Sequence, residues 1–135
     1  MPALKPAPVL VLLLTAVVPV WAHHAEALFD RNNPRILEGV VREFRWTSPH
    51  AWLYVNVPQN ATAADSPPGN GGADAWAFET ASIAVMVRNG WKSNSLRSGD
   101  QVRLLVAPRR DGTRSGELLS VTLTGSGKVM KIGSN

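Results

Sequence analysis

Residues 51–57, AWLYVNV, constrain the fold more than any other stretch of this chain. Ala51, Leu53, Val55 and Val57 fall on one side of an extended backbone, with Trp52, Tyr54 and Asn56 on the other. Seven residues with a period of two, rich in β-branched and aromatic side chains, argue for a strand with one buried and one open face. The same reasoning marks ILEGVVREFRWT (36–47), where Gly39 is the expected bulge or bend, and AWAFET (75–80), with Trp76 and Phe78 on one face. Two further strands are predicted at QVRLLVA (101–107) and ELLSVTLT (117–124).

The connections carry their own signals. Pro49 fixes φ and has no N–H to give a ladder, so Ser48-Pro49-His50 is a tight joint between the first two strands. The run from Pro58 to Asp74 is a polar, Gly/Pro-rich loop, predicted to be flexible. SIAVMVRNGW reads as a short helix capped by Ser82, with Ile83 and Val87 on one side, Met86 towards the core and Asn89-Gly90 as its end. Asp111-Gly112 turns the chain between the last two strands, and the tail at 125–135 has little to hold it. Three strands, a helix and two strands is the element order of a five-stranded OB-like β-barrel with its helix between strands 3 and 4. A small β-sandwich is the alternative.

The N-terminus reads as an export signal: Lys5, the apolar run APVLVLLLTAVV, Pro19, and small residues before a cut after Ala22. The run is shorter than the ~20 residues of a spanning helix, so the processed protein is not expected to be an integral membrane protein. Ala25-Glu26-Ala27 offers a second cut, after Ala27. Removing residues 1–22 of 135 leaves 113, one domain over 23–124, with formal charge reduced from +4 to +3. Cysteine is absent, which excludes disulfides, thiolate metal sites and a lipidated cysteine N-terminus. The expected location is periplasmic or secreted.

His23-His24 behind the signal, Phe29-Asp30, Trp46-Thr47-Ser48-Pro49-His50-Ala51-Trp52, Trp76-Ala77-Phe78-Glu79, Gly90-Trp91 and Leu96-Arg97-Ser98-Gly99-Asp100 occur in a characteristic order. In that order they resemble a family of small exported bacterial proteins of unknown function. The resemblance runs from about His23 to Thr124 and implies an OB-like fold and an envelope location, without an activity. Ala25 stands where that family tends to have serine, Ser48 where it tends to have asparagine, and the 58–74 loop is longer than its usual form.

The three histidines are the candidate chemistry. With His23 first in the processed chain, its α-amine and imidazole chelate one ion, and an ordinary amine pKa near ~8 makes deprotonation easy. His24 can use the amine and the intervening amide in a similar way. His50 supplies an imidazole from across the fold, and Glu26 or Asp30 an oxygen. A nitrogen-rich set of this kind suits copper first, then zinc or nickel. The candidate metal site is therefore His23 and His50, with His24 as an alternative to either. The plain reading leaves His23 and His24 as exposed linker, with His50 satisfying a turn carbonyl or packing between Trp46 and Trp52.

The main alternative is an aromatic ligand face at Trp52 and Tyr54, suited to a peptide, glycan or envelope protein. Against it stands the expectation that Leu28 and Phe29 cover these rings. Trp76 and Trp91 are expected in the core, Trp91 closing the barrel beyond the helix. The arginines along the strands make nucleic acid the last-ranked partner, given export. No nucleophile elbow, P-loop or dinucleotide fingerprint is present, so catalysis is not expected. A redox accessory built on an N-terminal copper is a distant third reading.

Overall fold

The computed structural model describes residues 1–2, 28–58 and 73–133. The chain forms β1 (Arg35–Arg45), β2 (His50–Pro58), β3 (Ala73–Ser82), α1 (Ile83–Arg88), β4 (Gln101–Pro108), β5 (Ser115–Leu123) and β6 (Lys128–Lys131). The sheet order is β3-β2-β1-β4-β5-β6, and β3 also pairs in parallel with β5, at Ala77–Ser115, Phe78–Gly116 and Glu79–Glu117. That parallel contact closes five strands into a barrel, which decides against the sandwich. The predicted OB-like order, with a helix between strands 3 and 4, is what forms.

The alternation of β2 is realised in full. Ala51, Leu53, Val55 and Val57 are buried at no more than 1 % exposure. Leu53, Val55 and Val57 join Phe78, Val41, Leu104, Val106, Leu118 and Val121 in the core inside the barrel. Ser82 caps α1, its Oγ accepting from Val85 N at 3.4 Å, and Asn89 ends the helix before Gly90 at φ +81°. Met86 points inward with no exposed surface, as expected, whereas Val87 is 56 % exposed. A six-residue helix has room for one deep anchor, and Met86 is that anchor. Trp91 closes the barrel as expected, 2 % exposed, its Nε1 donating to Lys131 O at 2.7 Å. Trp76 stacks on Phe78 at 5.9 Å between centroids and packs on the edge of the core.

Two expectations are corrected. Gly39 sits in regular pairing with Val102, and the β1 bulge lies between Val41 and Glu43. Gly39 is needed for close approach: a Cβ there would stand 2.5 Å from Asn56 O and 2.6 Å from Val55 Cγ1. The tail after Thr124, expected to be unheld, turns back as β6 against Ser120–Leu123 and buries Ile132 to 3 %. Its hold comes from backbone pairing and from the Trp91 and Asn89 side chains, which no local pattern in GSGKVMKIG announces. The predicted loop between β2 and β3 falls almost wholly at 59–72, outside the described residues.

Candidate functional site

The outer face of β2 carries Trp52, Tyr54 and Asn56, as the alternation predicts, and His50 joins them at the start of the strand. Its neighbours follow from register. Arg45 and Glu43 of β1 lie opposite Trp52 and Tyr54, and Glu79 of β3 lies opposite Trp52 on the other side. Between His50–Ser82 and Trp52–Glu79 the β2–β3 register shifts, with one extra residue on β3. Thr80 fills the irregularity from inside: its buried Oγ1 lies 3.0 Å from Ala51 O and 2.9 Å from Ala81 O. A bulge of this kind re-aims side chains, and here it sets His50 beside Glu79.

His50 Nδ1 donates to Glu79 Oε1. Side-chain exposure is 39 % for His50 and 29 % for Glu79, so the pair is half-covered and reachable from solvent. With Nδ1 committed to the carboxylate, the lone pair of a neutral imidazole is on Nε2. Thr47 Oγ1 donates to His50 O at 3.4 Å and Ile83 N donates to Pro49 O at 3.2 Å, which tie the Ser48-Pro49-His50 joint to its surroundings. The Ser48–Pro49 peptide is cis. The ring nitrogen that the structure commits is therefore held by the Glu79 carboxylate.

On the other flank of Trp52, Arg45 bridges two partners. Its Nε and Nη2 donate to Glu43 at 3.0 and 3.1 Å, and its Nη1 to Tyr54 Oη at 3.2 Å. The guanidinium also lies over the Tyr54 ring, 4.9 Å from its centroid. The hydrogen-bonded Glu43 carboxylate holds the Arg45 guanidinium above its ordinary pKa. One face of Tyr54 is thus already taken, while no aromatic ring stacks on Trp52 among the described residues. Leu28 and Phe29 do not cover these rings. Phe29 bridges to Arg109, and Leu28 O accepts from Arg110 N, on the β4–β5 side of the barrel.

The N-terminal end of the described domain nevertheless runs near the face. Arg31 makes a bidentate pair with Glu117, at 2.6 and 2.8 Å, and Glu117 is the register partner of Glu79. A groove of about 560 Å³ lies beyond that pair, lined in part by Arg31, Ala81, Leu105, Glu117 and Ile132, and none of His50, Trp52 or Tyr54 borders it. His23 and His24 lie outside the described residues. Among the described residues no three of His, Cys, Asp and Glu converge as a metal site, so His50 and Glu79 are the two potential donors in place. Asp30, considered as an oxygen ligand, is instead hydrogen-bonded by Asn33 Nδ2 and paired with Arg110.

Glu79 is the residue that sequence reasoning did not assign. Its outward parity opposite Phe78 is readable in WAFET, yet its place beside His50 depends on a β2–β3 register set across the long loop.

Residues 11–118 match a protein family described as a family of unknown function (DUF6152). No curated protein sequence and no solved structure matches the chain. No helix among the described residues is long and apolar enough to cross a membrane.

Proposed function

Since the chain belongs to the DUF6152 family, whose function is unknown, its role has to be read from its own residues, and we propose that it is an exported binding protein for a transition metal, copper foremost. His50 Nε2 is the anchoring ligand in this reading, and His23 or His24 supplies the remaining nitrogen. The observation that carries it is the His50–Glu79 hydrogen bond on an open strand face. Metal-ligating histidines usually donate their other ring N–H to a carboxylate, which fixes the tautomer and raises ligand basicity. Reach also supports it. His23 is eight positions before Arg31, an extended span of about 26 Å. Arg31 is anchored on Glu117, two strands from β2 at roughly 4.8 Å per strand.

Native mass spectrometry of the protein recovered from cells without chelators tests this directly. A chain beginning at His23 with one copper is expected, and a H23A/H50A variant that folds should carry none. A metal-free chain beginning at Leu28 sinks the reading.

A second reading has its own support. Trp52 is half-exposed, free of ring partners among the described residues, and flanked by a cation on one side and a carboxylate on the other. That arrangement suits stacking on a glycan or peptide in the envelope. Binding of this kind should ignore H23A/H50A and fail in W52A.

A further inference from the structure

Outside one end of the barrel most basic side chains of the described residues are paired with carboxylates, Arg35, Arg42 and Arg97 being scattered exceptions. Arg31, Arg45, His50, Arg103, Arg109, Arg110 and Arg114 each meet a carboxylate. Segments 80–99 and 118–133 contain no Asp or Glu at all, and the fold brings them together. Trp91 Nε1 and Asn89 Nδ2 donate to the carbonyls of Lys131 and Ile132, laying the chain after α1 along β6. Between Asn89–Trp91 and Lys128–Lys131 runs a groove of about 450 Å³. Lys128 and Lys131 line it, and Arg88 and Lys92 are the chain neighbours of its Asn89–Trp91 wall; all four are exposed, and no carboxylate of the described residues pairs with them. Val129 is 60 % exposed within this cluster, and Val87, next to Arg88, is 56 % exposed.

We propose that this α1–β6 end is a docking surface for an anionic lipid bilayer. Four uncompensated cations on one end supply attraction to an anionic leaflet, and exposed valines among them supply apolar contact at headgroup depth. The chemistry of the patch disfavours other polyanions. Stacking on nucleic-acid bases needs exposed rings, and Trp91 is 2 % exposed. An added peptide strand needs free edge carbonyls, and those of Lys131 and Ile132 are already accepting. The inference stands independently of the metal reading.

Flotation of the purified full chain with phosphatidylcholine vesicles, with and without phosphatidylglycerol, tests it. Binding should require phosphatidylglycerol and weaken as salt rises. Each basic residue removed should lower partition by about fivefold, so K128E/K131E should lose at least ~10-fold while its circular dichroism and thermal midpoint stay unchanged. R35E/R42E makes the same change in net charge away from the patch and should keep partition within about twofold. Equal losses in the two double variants would reduce the effect to net charge and overturn the proposal. Binding that is indifferent to phosphatidylglycerol and to K128E/K131E belongs to the apolar run at 7–18, and also overturns it. Tighter capture by polyglutamate than by vesicles reassigns the surface to an acidic protein.

Discussion

The two faces of β2 are built from alternate residues of one nine-residue strand, yet they obey different physics. The inner set, Ala51, Leu53, Val55 and Val57, is sealed to 1 % exposure or less and bound by close packing. The outer set, His50, Trp52, Tyr54 and Asn56, is half-buried and held by register with charged neighbours on β1 and β3. The inner face supplies stability that tolerates no loss of volume. The outer face supplies directed polar groups, whose positions are fixed by the barrel behind them.

The largest effect should come from the inner face. Leu53→Ala deletes buried methyl groups against Phe78 and is expected to cost about 2–5 kcal/mol, read by urea denaturation. Gly39→Ala tests the close approach of β1 to β2, where a methyl meets Asn56 O and Val55. A loss of about 1–3 kcal/mol is expected. On the outer face, Glu79→Gln should leave the fold intact and weaken the proposed copper binding by about 10–100-fold, measured by competition with a chromophoric chelator. Trp52→Ala should cost only about 1 kcal/mol of stability. If it cost as much as Leu53→Ala, the distinction between the faces would collapse.

The smallest effect is a pH dependence away from both faces. The Asn33 side-chain hydrogen bond, with Arg110 adding, holds the Asp30 carboxyl below its ordinary 3.8, and the Thr113 hydroxyl does the same for Asp111. A carboxyl whose pKa is lowered by folding stabilises the protein above its unfolded value, and that contribution fades as pH falls through 3.8 and below. In thermal melts against pH, D30N/D111N should therefore show a shallower acid limb than the parent chain. Asp111 is exposed and Asp30 only partly covered, so the difference is slight.

Much of the architecture was legible from local patterns. Period-two alternation placed the β2 faces, Ser82 and Asn89-Gly90 bounded the helix, and element order pointed to the barrel. The site was legible only in part. Trp52 and Tyr54 were placed on the open side and His50 in the joint before them, whereas Glu79 was one of several carboxylates with no assigned neighbour. A long loop leaves hairpin register unspecified, and a bulge shifts it again, so no spacing rule joins position 50 to position 79.

The sequence by itself determined which residues of β2 share a face, because side-chain direction in an unbroken strand follows from backbone period. It also determined that cysteine chemistry is absent and that two carboxylate-free segments exist. Only the tertiary structure decided that Phe78 closes on Gly116 in parallel, that Glu79 meets His50, and that the tail returns as β6 beside Trp91. Each of these joins positions far apart in the chain. Such contacts form because the closed barrel satisfies backbone groups and buries apolar area collectively, which no local window of residues encodes.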